Sequence, residues 1–82
     1  MLVVDDDTAI RQALVAFFTD EGYAVFEAPD GISALECMRT SQRRLIVLLD
    51  WRMPGLDGVQ VLEAAVADAP VARRHAFLIM TA

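Results

Sequence analysis

Three aspartates and a threonine stand where apolar runs stop. Asp5 and Asp6 follow Leu2-Val3-Val4, Asp50 follows the run from Leu45 to Leu49, and Thr81 follows Phe77 to Met80. Carboxylates crowded into one small volume repel each other and raise the pKa of at least one of them unless a cation shares the charge. A hard divalent ion such as Mg2+ prefers oxygen ligands in octahedral geometry, keeps several waters, and is often held by one or two carboxylates plus phosphate oxygens. An aspartate beside that ion can also be a nucleophile, accepting a phosphoryl group as an acyl phosphate. Taken singly, each residue has an ordinary role: Asp5-Asp6-Asp7 as the solvated entry to a helix, Asp50 as a turn or cap residue, Thr81 as a strand residue. Their joint placement is what points to chemistry.

For these residues to meet, the ends of separate strands must lie side by side. Residues 2 to 4 form a short apolar strand. From Thr8, Ile10, Leu14 and Phe17 recur at i, i+4 and i+7, widened by Ala13 and Phe18, so they predict one inward helical face. Asp7 or Thr8 can cap its start, and Gly22 suits its end. Tyr23 to Ala28 is rich in strand formers, and Pro29-Asp30-Gly31 is a turn. A second helix spans about Ile32 to Thr40, with Ala34, Leu35 and Met38 inward. Ser41 to Arg44 is a polar loop, and Leu45 to Leu49 is a continuous apolar run, as expected of a parallel strand covered on both faces. Asp57 with Gln60 three residues later resembles a capping box. The third helix continues through Val61, Leu62, Ala65 and Val66 until Pro70 stops it, and Phe77 to Thr81 is a fourth strand. The order β-α-β-α-β-α-β implies right-handed crossovers and an α/β fold, a parallel sheet with helices on both faces. In such sheets ligands collect outside the carboxyl ends of the strands, where the strand order reverses.

Composition narrows the function. The 82 residues make one small domain, residues 1–82, and 56% hydrophobic content marks it as globular. No apolar run approaches the roughly 20 residues of a membrane helix, and no secretory signal precedes the first strand, so a cytoplasmic protein is expected. A net charge of −5 argues against direct nucleic-acid binding by this chain. The single cysteine, Cys37, has no partner for a disulfide or a metal site. His75 is expected to be a solvated loop residue beside Arg73 and Arg74, and that pair, like Arg43 and Arg44, is expected to be solvated loop charge able at most to steer an acidic partner. Trp51 is expected to be partly buried, next to Asp50.

The segments VVDDD (3 to 7), LLDWRMPGLDG (48 to 58) and IMTA (79 to 82), together with GYAVFEAPDGISAL (22 to 35), resemble the receiver domain of bacterial two-component response regulators. DWRMP is similar in wording to the single-domain chemotaxis regulator. The resemblance implies a flavodoxin-like fold in which Asp50 is the phosphoacceptor, taking its phosphoryl group from the phosphohistidine of a sensor histidine kinase or a phosphotransfer protein. It implies Mg2+ bound by Asp6 directly and by Asp5 through water, with Asp50 and the backbone carbonyl of Arg52 completing the protein ligands. Thr81 matches the switch hydroxyl that contacts the phosphoryl group and Ala82 the small residue after it, while Pro54, Gly55 and Gly58 shape the loop. The family's domain continues beyond its fourth strand into a fourth helix, a fifth strand bearing a lysine, and a fifth helix. This sequence matches none of these, so it is expected to be a partial receiver.

Two consequences are expected of the 82-residue chain. Its fourth strand would be an unprotected edge, and the sheet face under the family's fifth helix would show apolar area, favouring self-association or element swapping. Three functions remain in view. A phosphoacceptor receiver, with self-phosphorylation and dephosphorylation as its only chemistry and no separate enzymatic turnover, leads. A degenerate receiver acting only as an interaction module is the alternative. An aspartate-nucleophile phosphohydrolase of the haloacid-dehalogenase kind would need a second aspartate where Arg52 stands.

Overall fold

Each helix starts where an aspartate carboxylate meets a free backbone N–H. In the computed structural model, which describes residues 1–80, Ile10 N–H donates to Asp7 at 3.1 Å, Ser33 N–H to Asp30 at 2.7 Å, Gln60 N–H to Asp57 at 2.9 Å and Val71 N–H to Asp68 at 3.4 Å. Such caps satisfy amides that have no partner within the helix. They open α1 (Thr8–Asp20), α2 (Gly31–Thr40), α3 (Gly58–Ala67) and α4 (Ala69–Arg74). At α3 the capping box is complete, because Asp57 N–H also donates to the Gln60 side chain at 3.0 Å. At the end of α1, Gly22 adopts φ 95°. Its N–H reaches Thr19 O at 3.0 Å and Tyr23 N–H reaches Phe18 O at 3.0 Å, a Schellman pairing that needs the left-handed glycine.

The strands are β1 (Leu2–Val4), β2 (Phe26–Ala28), β3 (Ile46–Asp50) and β4 (Ala76–Met80), all parallel in the order β2-β1-β3-β4. The chain thus leaves β1 to one side and returns to its other side for β3 and β4. β1 and β3 flank the point where the order reverses. In register, Leu2 sits between Phe26 and Val47, and Val4 between Ala28 and Leu49. These residues face α2, α3 and α4, where Ala34, Leu35, Met38, Val61, Ala65 and Val71 complete the core. The alternate residues, Val3, Glu27 and Leu48, belong to the other face, which α1 covers over β1 and β2.

Several expectations need correction. No residue of α1 is fully buried. The half-buried set is Arg11, Leu14, Val15 and Phe18, whereas Ile10 and Phe17 are 51% and 57% exposed. The apolar sector of this helix is wider than its contact with two short strands. An arginine also belongs to the inward face: Arg11 bonds Glu27 of β2 at 2.9 Å through Nε and the carbonyl of Asp5 at 2.8 Å through Nη1.

β2 is three residues long rather than six, since Tyr23 to Val25 are taken up in leaving the Schellman turn. Pro70 does not lead into a loop. Asp68 ends α3 and at once caps α4, where proline suits the first turn and Val71 is pulled into the core. Arg73 and Arg74 therefore lie in the last turn of a short extra helix before β4. This helix is distinct from the family's fourth, which the resemblance puts after that strand.

His75 is the clearest reversal. It is 6% exposed, and both ring nitrogens are engaged: Leu45 N–H donates to Nδ1 at 3.0 Å, and Nε2 lies 2.8 Å from Met38 O. Since Nδ1 accepts, Nε2 carries the proton and donates, which fixes one neutral tautomer. The ring ties the end of α2 to the starts of β3 and β4. Periodicity carries no signal for such a bridge. His75→Ala leaves a buried N–H and a buried carbonyl without partners, and should cost about 2 kcal/mol. Urea unfolding should show this as a lower midpoint at unchanged slope.

Candidate functional site

The carboxyl ends of β1 and β3 bring the expected acids together. Asp5, Asp6 and Asp50 each offer an oxygen, all within 4.8 Å of one another. Asp5 is buried, Asp50 half-buried and Asp6 exposed, so the cluster opens outward on one side. Asp5 is the best-fixed of the three: its N–H donates to Ala28 O at 3.2 Å, its carbonyl accepts from Arg11, and its carboxylate Oδ1 accepts the Asp7 N–H at 2.9 Å. Burial, opposed by the Asp7 N–H, pushes the Asp5 carboxyl above its ordinary value, and the charges of Asp50 and Asp6 push it further. This electrostatic conflict, in an all-oxygen donor set, fits a hard divalent cation.

Asp50 lies beside Met80 in register, and the next residue, Trp51, donates its N–H to Met80 O at 3.0 Å. Arg52 N–H then approaches Asp50 Oδ1 at 3.3 Å. Trp51 is 44% exposed, more open than the partial burial expected of it, and lines a shallow hollow with Arg52, Met53, Pro54 and Asp57. The loop after β3 is held from below by Met53, 7% exposed, and by Leu56 against the core. Gly55 takes φ 76°, open to glycine, and Pro54 is exposed beside it. Gly58 serves differently: a Cβ there would overlap the carbonyl of Asp50 and lie 2.9 Å from Trp51 Cα. Its missing side chain lets the start of α3 press against the backbone that carries Asp50, and Gly58 N–H bonds Trp51 O at 3.1 Å.

Thr81 and Ala82 lie outside the described residues. Sequence reasoning missed Arg11 and Gly31. Arg11 holds the backbone of Asp5 from α1, a role no spacing rule announces. At Gly31 a Cβ would lie 2.8 Å from Leu56 Cβ and would also collide with Val61, so glycine admits α2 against the loop and α3. Its place directly after a helix-capping aspartate is a signal for the turn but not for that close approach.

The sequence model of the family described as response regulator receiver domain matches residues 1–82. The chain belongs to that family. Among curated relatives of this receiver, sporulation initiation phosphotransferase F of Bacillus subtilis (strain 168) is 43% identical over 63 residues, 77% of this chain and 50% of that protein. Response regulator MprA of Mycobacterium ulcerans is 43% identical over 74 residues, 87% of this chain and 32% of that protein. The chain thus spans half the length, or less, of these curated relatives. Among solved structures, the CheY-like receiver domain protein of Methanospirillum hungatei superposes with a TM-score of 0.87 at 29% identity, covering 98% of this chain and 62% of that one. Vibrio cholerae chemotaxis protein CheY4 gives 0.85 at 27% identity, covering 99% and 68%. The α/β flavodoxin-like receiver fold expected from the sequence is the fold observed, and the receiver is a component of two-component signalling.

Proposed function

We propose that this receiver accepts a phosphoryl group on Asp50 from the phosphohistidine of a sensor histidine kinase or phosphotransfer protein. The observation that carries the proposal is the convergence of three carboxylates at the carboxyl ends of β1 and β3, with Asp50 half-exposed at the rim. A carboxylate oxygen of Asp50 attacks phosphorus, the P–N bond breaks, and its electron pair stays on the imidazole nitrogen of the donor. Asp5, Asp6 and Asp50, with the carbonyl of Arg52, would hold Mg2+, which when bound neutralises charge on the transferring phosphoryl oxygens. Arg11 keeps Asp5 in place through its carbonyl, and Arg52 N–H orients the Asp50 carboxylate. Thr81 would contact the phosphoryl group after transfer. The reaction is confined to the receiver's own aspartate, with no turnover of a separate substrate, and such a donor is met in the cytoplasm.

The test is incubation with a small acyl phosphate donor and Mg2+, followed by mass spectrometry of the intact protein. Addition of one phosphoryl group to the wild type and none to Asp50→Asn is the expected result. A folded wild-type chain that gains no phosphoryl group would instead leave an interaction-only receiver.

The apolar face beside α1 supports a second proposal, about association. Ile46 and Leu78 are 39% and 55% exposed on the side opposite the main core, and β4 is an edge strand. Edges and faces of this kind pair with further chains. The isolated 82-residue chain should therefore self-associate or exchange elements through β4, with light scattering giving a mass that rises with concentration. A monodisperse monomer that melts cooperatively in calorimetry would rule this out.

A further inference from the structure

The basic residues are as segregated as the acidic ones. All seven are arginines, and five gather at the end of the sheet where β3 and β4 begin. Arg39 ends α2, Arg43 and Arg44 precede β3, and Arg73 and Arg74 end α4. Arg39 pairs with Asp68 at 3.5 Å. Among the described residues the other four have no carboxylate within ion-pair distance.

Arg44, Arg73 and Arg74 line one open cleft of about 380 Å³ with Gln42 and Pro70, and no acid shares it. Arg74 is anchored there: its Nη1 donates to Ser41 O at 2.8 Å, which ties the end of α4 to the loop before β3. Arginines in the last turn of a helix complement its negative end, and that accounts for Arg73 and Arg74 alone. Arg44 belongs to no helix, yet it lines the same cleft. Three like charges around one space repel each other, and the acid beside it, Asp68, which lines the adjoining hollow with Pro70 and Arg74, is paired with Arg39. An anion would cancel the repulsion.

We propose that this cleft binds a ligand carrying two adjacent phosphates, a pyrophosphate group. Guanidinium forks match phosphate oxygens in paired hydrogen bonds, and arginine rather than lysine is the residue suited to that geometry. The open cleft falls in the size range of small-ligand sites. The net charge of −5 and the acidic cluster at the far end repel extended polyanions, so attraction is confined to this cleft.

Titration calorimetry of the 82-residue chain with inorganic pyrophosphate, in buffer free of Mg2+, tests the proposal. Saturable binding at one site is expected, with weaker binding of orthophosphate. The double variant Arg44→Gln, Arg73→Gln removes two side chains that make no hydrogen bond in the structure, and circular dichroism checks that it stays folded. It should weaken pyrophosphate binding by at least about tenfold, the scale of one charge-assisted hydrogen bond, while Asp50→Asn leaves binding unchanged. Absence of saturable binding, or binding that survives the double variant, overturns the proposal. Competition separates the sources of the phosphate: displacement by ADP but not AMP assigns a nucleotide diphosphate. Displacement only by a short single-stranded oligonucleotide would put a nucleic-acid backbone in the cleft and overturn a small-ligand site.

Discussion

Gly58→Ala should lower the free energy of unfolding by about 3 kcal/mol, at the upper end of what overpacking one methyl group costs. The new Cβ would meet backbone, not a flexible side chain: the carbonyl of Asp50 and the Cα of Trp51 at 2.9 Å. Neither atom can move without shifting the end of β3, so the start of α3 must swing away and take its bond to Trp51 O with it. The damage therefore reaches the acidic cluster, and Trp51 fluorescence should change in the native state, before any unfolding. Gly55→Ala is the comparison. It sits at φ 76° with no atom within 4 Å of the added carbon. Its cost is backbone strain alone, about 1 kcal/mol, with the Trp51 signal preserved. Equal losses from the two variants would show that the contact at Gly58 is relieved without moving Asp50.

Asp5→Asn should act in opposite directions with and without Mg2+. In the metal-free protein it removes a buried charge that Asp50 and Asp6 oppose, while its side-chain oxygen still accepts the Asp7 N–H. Stability should rise by an amount on the order of 1 kcal/mol, the repulsion of two unit charges about 4 Å apart when screened as in bulk water. That corresponds to roughly 4–8 °C in melting temperature for a domain of this size. Added Mg2+ should stabilise the wild type, and the variant should bind the ion about 10- to 100-fold more weakly, the usual effect of losing an outer ligand of a metal site.

The pH dependence follows from the same group. The folded protein binds the Asp5 proton more tightly than the unfolded chain does. Acidification of the metal-free protein therefore gains stability through Asp5, beginning as pH falls through its raised folded value and complete below the ordinary aspartate value of 3.8. Asp30 has the reverse sign. The Ser33 N–H and hydroxyl hold its carboxyl below 3.8, so its stabilisation is present above that value and is lost as pH falls through the depressed one. With Mg2+ present the proton competes with the cation at Asp5, and acidification should destabilise. Thermal melts across this range, with and without Mg2+ and for Asp5→Asn, separate the three effects.

The elements whose signals are local were legible in the sequence. Asp57 with Gln60, Gly22 after α1, and the inward trio Ala34, Leu35 and Met38 each follow from spacing within a few residues, and each is where it was expected. The acidic cluster was legible because the parallel alternation of strands and helices dictates where strand ends go. What failed needed knowledge of a partner far along the chain. Whether Ile10 and Phe17 face inward depends on how much sheet lies under α1, which the helix's own periodicity does not encode. His75 was misread because its two partners, Leu45 and Met38, precede it by a whole strand and two helices. Pro70 carries a stop signal and a start signal at once, and only the cap at Asp68 decides between them.

The central place of β1 has a kinetic meaning. Its pairing with β2 closes a short loop, but its pairing with β3 must wait until much more of the chain is confined, and that pairing brings Asp5 to Asp50. The acidic cluster is therefore expected to assemble after β1 and β2 have paired. A cation bridging it would bind after the folding barrier is crossed, so Mg2+ should slow unfolding and leave the refolding rate almost unchanged.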